Sequence, residues 1–278
     1  MSRGKLRVLK QRRASTQSTM KITKAMEMVA AAKANKVVKE ISSLKDYAHY
    51  SEKIMKKIAP VEDSIYTSKK EGTLIVVITP DMGLCGAFPM ELTKAANDLA
   101  NKTDDFIGFY NIGSKGEIEL KQTGNLLLSR TKLYDVPKQE DAEYILDDII
   151  DIIEDKNIGK VKVVYGAFKN ALIQKPEVVE LLPVNFEGSM DPRFEYEPDS
   201  KELFEEAAYL YLLSKMYLII YENKISELYA RKNAMRNATD NAKNLIEKLT
   251  LAYNKARQAS ITQELIEIVN GAQALQEE

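Results

Sequence analysis

Apolar residues near the C-terminus recur at alternating intervals of three and four residues, the spacing of a helix face that packs along another helix. The series comprises Met235, Ala238, Ala242, Leu245, Leu249, Ala252, Ala256 and Ala259. Most of its members are alanines, whose short side chains allow a neighbouring helix to approach closely. The pattern therefore predicts a long helix with a closely packed partner.

The N-terminal part of the chain carries a similar stripe in two runs. The first run is Ile22, Ala25, Val29 and Ala32, and the second is Val37, Ile41, Leu44, Ala48, Ser51, Met55 and Ile58. Long helices at both ends of a chain, with a compact domain between them, predict an antiparallel coiled coil within one molecule. A parallel coiled coil between two copies is the alternative, because heptads alone fix neither partner nor orientation.

Proline and glycine divide the chain into three parts. All eight prolines and ten of the twelve glycines lie between residues 60 and 198. Because helix interiors disfavour both residues, the two flanks are predicted to be helical. The predicted domains are an N-terminal coiled-coil helix over 1–60, a central α/β domain over 70–195 and a C-terminal coiled-coil helix over 200–276.

The central part has the alternating strand and helix signals of an α/β domain. Predicted strands are Thr73–Thr79, Phe106–Ile112, Val161–Phe168 and Val178–Phe186, and predicted helices are Asp141–Asp155 and one that begins near Met90. Strands that alternate with helices favour a mostly parallel sheet covered by helices. The fold class is therefore predicted as a Rossmann-like α/β domain joined to a long antiparallel coiled coil.

Charge is balanced overall but unevenly distributed along the chain. The formal net charge is −1, yet residues 1–39 hold many basic residues and one acid, Glu27, whereas residues 140–155 are strongly acidic. A basic segment indicates an acidic partner, such as a protein surface, a nucleic acid or an anionic lipid. The basic segment has no aromatic residue for stacking on bases, so an acidic protein fits better. A coiled-coil adaptor that binds nucleic acid is the alternative function.

Candidate chemistry is sparse. Cys85 and His49 are the only cysteine and histidine, which excludes a disulfide within the chain and argues against histidine-based catalysis or metal binding. Loops at Pro80–Phe88 and Gly113–Gly116 each follow a strand, but neither has the glycine spacing of a phosphate-binding loop. No run of 18 uncharged apolar residues is present. We therefore predict no catalytic residue, cofactor, metal or membrane-spanning segment.

Five segments closely resemble the ATP synthase gamma subunit family. They are Thr19–Lys33, Asp81–Gly86, Ile112–Gly116, Ala238–Ala242 and Tyr253–Leu265. The similarity extends over the whole chain in the expected order. The chain departs from the family pattern at Arg13, Thr16, Met82, Ala87, Pro89 and Lys232, where the family usually has other residue types.

The resemblance implies a central rotor shaft without a catalytic site. The helix pair is expected inside a ring of alpha and beta subunits, with the α/β domain against epsilon and the membrane c ring. Lys24 and Met26 are expected to meet acidic levers of the beta subunits, and Arg257 and Gln258 to hydrogen-bond to a beta-subunit loop. The apolar end of the chain, 261–275, is expected to turn within an apolar sleeve.

The same resemblance carries expectations about the location of the chain. No nucleic acid partner is expected, and the membrane is to be reached only through the c ring. The lack of a transit peptide favours a bacterium over an organelle. The expected location is the cytoplasmic face of a bacterial plasma membrane.

Overall fold

The computed structural model describes residues 2–62, 64–67, 70–186, 188, 193, 197 and 199–274. Its helices and strands, in chain order, are α1 (Ser2–Val38), α2 (Ile41–Met55), β1 (Thr73–Ile78), α3 (Phe88–Ala100), β2 (Phe106–Ile112), α4 (Ser114–Lys121), β3 (Leu126–Arg130), α5 (Gln139–Lys156), β4 (Lys160–Phe168), β5 (Gln174–Leu182) and α6 (Ser200–Ala274). The predicted fold class, α/β with a long helix at each end, is confirmed. Residues 1, 187, 189–192, 194, 195, 275 and 276 of the predicted domains lie outside the described residues.

The five strands form one sheet in the order β3-β2-β1-β4-β5. The first four are mutually parallel, and β5 runs antiparallel to β4 at the edge. All six residues of β1 are buried, as its unbroken run of largely β-branched residues predicts for a central strand covered on both faces. Two strand predictions need correction: β3 was missed, and β5 runs from Gln174 to Leu182, four residues earlier at each end than the predicted Val178–Phe186.

Side chains of β1 alternate between two hydrophobic layers. Ile75 and Val77 pack in the cluster that contains Phe88 and Leu92 of α3. Leu74, Val76 and Ile78 pack in the larger cluster on the opposite face. That cluster includes Ile145 and Ile149 of α5 and Phe204, Leu212 and Met216 of α6. The sheet is therefore fixed directly to the first part of the C-terminal helix.

The N-terminal helix is not continuous, which corrects the prediction of one uninterrupted helix over 1–60. It turns at Lys39 and Glu40, where the Glu40 N–H donates to the carbonyl of Val37 at 3.2 Å. The Glu40 carboxylate accepts a hydrogen bond of 2.6 Å from the hydroxyl of Tyr221 on α6. Val37 and Val38 precede the turn, and β-branched residues are weaker helix formers. The side-chain contact favours a turn at this point.

Two compact units make up the chain, one of Met1–Val29 with Lys232–Glu278 and one of Ala30–Arg231. In the first unit the Thr239 hydroxyl donates to the Thr23 hydroxyl at 2.8 Å. The Arg13 guanidinium lies 5.3 Å from the centroid of the Tyr253 ring. Because residue numbers rise on α6 as they fall on α1, the two segments are antiparallel, as predicted.

From Leu245 onward, every second position of the seam between these segments is shifted by one residue from the predicted position. Met235 and Ala242 are buried as predicted, whereas Leu245, Ala252 and Ala259 are exposed. Their inward places are taken by Ile246, Tyr253 and Ser260. The prediction failed there because tyrosine and serine were not counted as seam residues.

A similar correction applies to α1. Its predicted first run, Ile22, Ala25, Val29 and Ala32, is exposed, and the buried or half-buried residues as far as Thr23 are Leu6, Leu9, Arg13, Thr16, Met20 and Thr23. The second predicted run, from Val37 to Ile58, is buried or half-buried throughout, as expected. A search for apolar periodicity does not detect polar residues in a seam. Their hydrogen bonds nevertheless make such residues suitable for seam positions.

Candidate partner-binding surface

Arg257 and Gln258 lie on α6 directly after Ala256, which is half-buried in the seam. Both are exposed. Within the described residues, neither side chain has a hydrogen-bond or ion-pair partner. An arginine guanidinium offers five donors in a planar fork that matches a carboxylate. The pair is therefore available to a partner on the surface of the first unit.

Lys24 and Met26 lie on α1, one and three residues after the inward-facing Thr23. The Lys24 ammonium pairs with the carboxylate of Glu27 at 3.0 Å, and the Lys24 side chain is 55% exposed. Exposed pairs of this kind are worth about 0–1 kcal/mol, so Lys24 can exchange Glu27 for a carboxylate of a partner at little cost. Met26 is half-buried.

The structure does not bring the two predicted pairs together. Thr23 lies opposite Thr239, and Arg257 follows Thr239 by 18 residues, or about 27 Å of helix. The four residues therefore belong to two separate patches along one rod. A partner that contacts both patches must be large, or several partners must share the surface.

The end of α6 is an exposed apolar surface. Every described residue from 261 to 272 is exposed. The large apolar side chains there are Ile261, Leu265, Ile266, Ile268 and Val269, which are between 48% and 68% exposed. Extended apolar surface of this kind marks a contact site for another protein. Leu275, the last residue of the predicted tip, lies outside the described residues.

A second apolar surface on α1 was missed by the sequence prediction. Ile22, Met28 and Val29 are 57–60% exposed, although Ile22 and Val29 were expected in the seam. Lys24 and Met26 lie between them. The signal in the sequence was ambiguous, because a stripe on one helix face has the same spacing whether it meets the neighbouring helix or another subunit.

The turn at Gly113–Gly116 after β2 does not form a phosphate site, because a carboxylate from the loop after β1 already occupies it. One oxygen of Asp81 accepts hydrogen bonds from the Ser114 N–H at 3.0 Å, the Ser114 hydroxyl at 2.8 Å and the Lys132 N–H at 2.9 Å. The next N–H, that of Lys115, donates to the Pro80 carbonyl. These are the donors that an anion would need at a helix N-terminus.

Glycines at this point permit close backbone packing. Gly113 has φ +101°, and a Cβ there would lie 1.9 Å from the carbonyl oxygen of Thr79. The N–H of Gly116 donates to the Thr79 hydroxyl at 2.8 Å. The 113–116 motif therefore begins α4 and packs its first turn against the end of β1.

Cys85 has none of the features of a reactive thiol. It is 2% exposed, burial raises its pKa above the usual value, and its thiol donates weakly to the Met82 carbonyl at 3.6 Å. The described residues include no group of three or more His, Cys, Asp or Glu suited to a metal ion. Among the described helices none is long and apolar enough to cross a membrane.

A buried charged cluster lies beside this loop and was not predicted. The carboxylate of Glu227 pairs with Lys224 at 3.1 Å and with Arg231 at 2.7 Å. Arg231 also donates to the carbonyls of Met82 at 2.9 Å and Gly83 at 3.3 Å. The three charged residues are 5–8% exposed. Only their i, i+3 and i, i+4 spacing was visible in the sequence, and that spacing also suits a solvated helix face.

Comparison with known proteins gives a consistent result. A family model described as ATP synthase matches residues 5–275. The ATP synthase gamma chain of Erythrobacter litoralis is 36% identical over 97% of this chain and 99% of its own length. The gamma chain of Clostridium botulinum is 32% identical over 96% of each chain.

Solved structures agree with these relatives. A chain in the central stalk and c ring of Tetrahymena thermophila mitochondrial ATP synthase is 27% identical. It has a TM-score of 0.63 and covers 78% of this chain and 99% of that one. A chain of the Euglena gracilis mitochondrial ATP synthase has a TM-score of 0.75 over 98% of this chain and 95% of that one. That chain is 19% identical, so it supports the fold alone.

Proposed function

This chain belongs to the ATP synthase gamma chain family, and we propose that it is the central rotor shaft of an F-type ATP synthase. It couples rotation of the membrane c ring to ATP synthesis or hydrolysis in the ring of alpha and beta subunits. The observation that carries this proposal is the full-length match to gamma chains, together with the 75-residue helix α6. The relatives give no support to the nucleic-acid alternative.

The shaft acts by differential contact with the beta subunits. A rotor changes the affinity of a distant site only if its contact free energy differs between the states of that site. The apolar patch of α1, the exposed Arg257 and Gln258, and the apolar end of α6 are on different parts of the rod surface. A rod with such unequal faces offers a different contact to each beta subunit in turn.

Each predicted contact residue has a role in this proposal. Arg257 and Gln258 hydrogen-bond to a beta-subunit loop, and their lack of partners among the described residues supports that assignment. Lys24 gives up its ion pair with Glu27 and pairs instead with an acidic lever of a beta subunit. Met26 packs beside the same lever. The apolar end of α6 turns inside a sleeve of the alpha and beta subunits without directional bonds to hold it.

The chain itself performs no catalysis in this proposal, since the nucleotide sites belong to other subunits. Its α/β domain lies against epsilon and the c ring. The proposed location is the cytoplasmic face of a bacterial plasma membrane, where the chain is peripheral and reaches the membrane only through the c ring.

Purification with native partners tests the function. A tagged chain is expected to copurify with alpha, beta and epsilon subunits and c ring from membranes of the native host. Recovery without alpha and beta, combined with a salt-sensitive shift of labelled DNA or RNA, would instead support the adaptor function.

Arg257→Met tests the contact with a beta subunit. We expect about a tenfold or larger loss of ATP synthesis in the assembled enzyme, because a charge-assisted hydrogen bond is worth about 1.5–3 kcal/mol. Lys255→Met is the matched control, since this exposed residue lies about 200° around the helix from Arg257. Equal rates in both variants would contradict the role of Arg257.

Met26→Lys tests the contact with the acidic lever. The added ammonium group is expected to form an ion pair with the lever and so to reduce the ions pumped per ATP hydrolysed. Gln17→Lys adds the same charge to an exposed residue about 180° around α1 from Met26 and serves as the control. An unchanged pumping ratio in Met26→Lys would refute the assignment.

A further inference from the structure

Arg231 joins the last turns of α6 in the second unit to a loop of the α/β domain. Its guanidinium makes three hydrogen bonds, one to Glu227 on the preceding helical turn and two to the carbonyls of Met82 and Gly83. Lysine could not reproduce this arrangement, because an ammonium group lacks the planar fork that addresses several acceptors at fixed angles. The geometry therefore depends on arginine specifically.

The loop that Arg231 holds has an unusual backbone. Leu84 and Gly86 have φ values of +62° and +66°, in the left-handed region that costs a leucine about 1–2 kcal/mol. Met82 and Leu84 are 64% and 58% exposed, whereas Cys85 between Leu84 and Gly86 is 2% exposed. The loop thus turns one side chain inward and two outward, and the Met82 carbonyl accepts from both Arg231 and the Cys85 thiol.

Other parts of the second unit reach the same cluster. Lys33 of α1 binds both carboxylate oxygens of Asp135, at 3.0 and 2.7 Å. The hydrogen bond from Lys33 lowers the pKa of Asp135 below the usual range, and the nearby charges of Lys224 and Arg231 act in the same direction. Helix α1, helix α6, the loop after β1 and the segment after β3 therefore converge on one group of charges.

Stability alone is a weak explanation for this cluster. A buried ion pair loses so much hydration that an apolar replacement of similar volume is often as stable. Two cations share one carboxylate here, so a positive charge is left for the two loop carbonyls to balance. Such an arrangement fixes a backbone in one position more effectively than it lowers the free energy of the fold.

We propose that Arg231 is a positioning residue that fixes the 82–86 loop to helix α6, so that the loop and the helix turn as one body under load. The proposal rests on the rotor function proposed above. Torque that enters through the α/β domain passes into α6 partly through this connection. When the connection is loosened, the loop yields before the helix turns, and ATP hydrolysis is less well coupled to ion transport.

The solitary thiol supplies a direct readout of loop position. Arg231→Lys keeps the charge that faces Glu227 but loses the fork to the two carbonyls. In this variant, alkylation of Cys85 by iodoacetamide, followed by mass spectrometry of the full-length chain, is expected to be at least about tenfold faster. The control is Lys160→Met, which removes an ion pair to Asp105 elsewhere in the same unit.

Coupling is measured in the assembled enzyme as ions pumped per ATP hydrolysed, in vesicles. Arg231→Lys is expected to halve this ratio or lower it further, with assembly and melting temperature close to those of the original chain. Lys160→Met is expected to keep the original ratio and the original alkylation rate. Slow alkylation in Arg231→Lys would overturn the proposal, and so would fast alkylation with unchanged coupling or an equal loss in Lys160→Met.

Failure of the rotor function is distinguishable from failure of this inference. A chain that does not copurify with alpha and beta subunits refutes the rotor function. The alkylation comparison is made on the chain itself and tests only whether Arg231 holds the loop.

Discussion

A buried carboxylate in the α/β domain provides the sharpest test of the energetics. Asp148 on α5 accepts hydrogen bonds from the Tyr110 hydroxyl at 2.7 Å and from Arg130 at 2.8 and 2.9 Å. Tyr110 is fully buried and Asp148 is 8% exposed. Burial by itself would raise the pKa of Asp148, but the hydrogen bonds from Arg130 and Tyr110 outweigh it and lower the pKa below the usual value.

Asp148→Asn keeps the shape of the side chain and removes its charge. An Asn oxygen in the place of Oδ2 can still accept from Tyr110 and from Nε of Arg130, whereas the Asn NH₂ group then faces the donor Nη2 of Arg130. Hydrogen bonds to charged groups are worth about 1.5–3 kcal/mol each, less where solvent screens them. Since the Arg130 side chain is 37% exposed, the expected loss in the free energy of unfolding is about 2 kcal/mol at pH 7.

The loss depends on pH with a definite sign. The folded-state pKa of Asp148 lies below the value of about 3.9 expected in the unfolded chain. Stability from this carboxylate is therefore complete above pH 4 and is lost as the pH falls through the folded-state pKa. The difference between the original chain and Asp148→Asn is expected to be constant from pH 7 to about pH 5 and to shrink toward pH 3.

Urea denaturation followed by tyrosine fluorescence measures this difference, since the chain has 14 tyrosines and no tryptophan. Asp151→Asn, an exposed change on the same helix, is the control and is expected to alter stability by less than about 0.5 kcal/mol. The reasoning is refuted if both variants lose equal stability, or if the loss in Asp148→Asn is the same at pH 3 as at pH 7.

Two further predictions concern packing. Ala242→Leu is expected to overpack the seam and lower the free energy of unfolding by about 1–3 kcal/mol in urea denaturation. Ala252→Leu, on the exposed face, should change it by less than about 0.5 kcal/mol. Equal losses in the two variants would contradict the assignment of Ala242 to the seam. Gly113→Ala should cost more than about 3 kcal/mol, because the new Cβ meets the Thr79 carbonyl. Gly124→Ala, with φ +79° and open space around it, should cost about 1–2 kcal/mol, and a larger loss there than at Gly113 would refute this account.

Strand prediction from the sequence succeeded where a strand is buried uniformly and failed where burial is uneven. β1 is a continuous apolar run buried on both faces, so its sequence has one interpretation. β3 contains three leucines, which are strong helix formers, and it lies at the edge of the sheet, where burial is only partial. Its position is decided by pairing with β2, a long-range contact that local sequence does not contain.

The coiled coil shows the same limit at the level of single residues. Its existence was predicted from the spacing of apolar residues and its antiparallel direction from the presence of a helix at each end of the chain, but its register was not predicted correctly. Thr23, Thr239, Tyr253 and Ser260 occupy inward places, and the hydrogen bond between the two threonines makes one of those places suitable for polar side chains. Arg13 faces inward because the ring of Tyr253 receives its guanidinium. Such pairs become visible only when both helices are present.

The functional residues divide in a similar way. Arg257, Gln258, Lys24 and Met26 were assigned through the family resemblance alone, since an exposed residue on a helix carries no periodic signal of its own. The roles of Asp81 and Arg231 depend on partners 33 and 149 residues away in the chain. No local pattern predicts contacts of that length.

The carboxylate of Asp81 has a consequence for nucleotide binding by this domain. In open α/β sheets, the crevice beyond the carboxyl ends of the strands is where nucleotides commonly bind. Here, beyond β1 and β2, the carboxylate of Asp81 accepts from the Ser114 N–H at the N-terminus of α4, so this donor is not available to the phosphate groups of ATP or ADP. The first turn of α4 is therefore held by the chain itself and needs no bound nucleotide to fix its position.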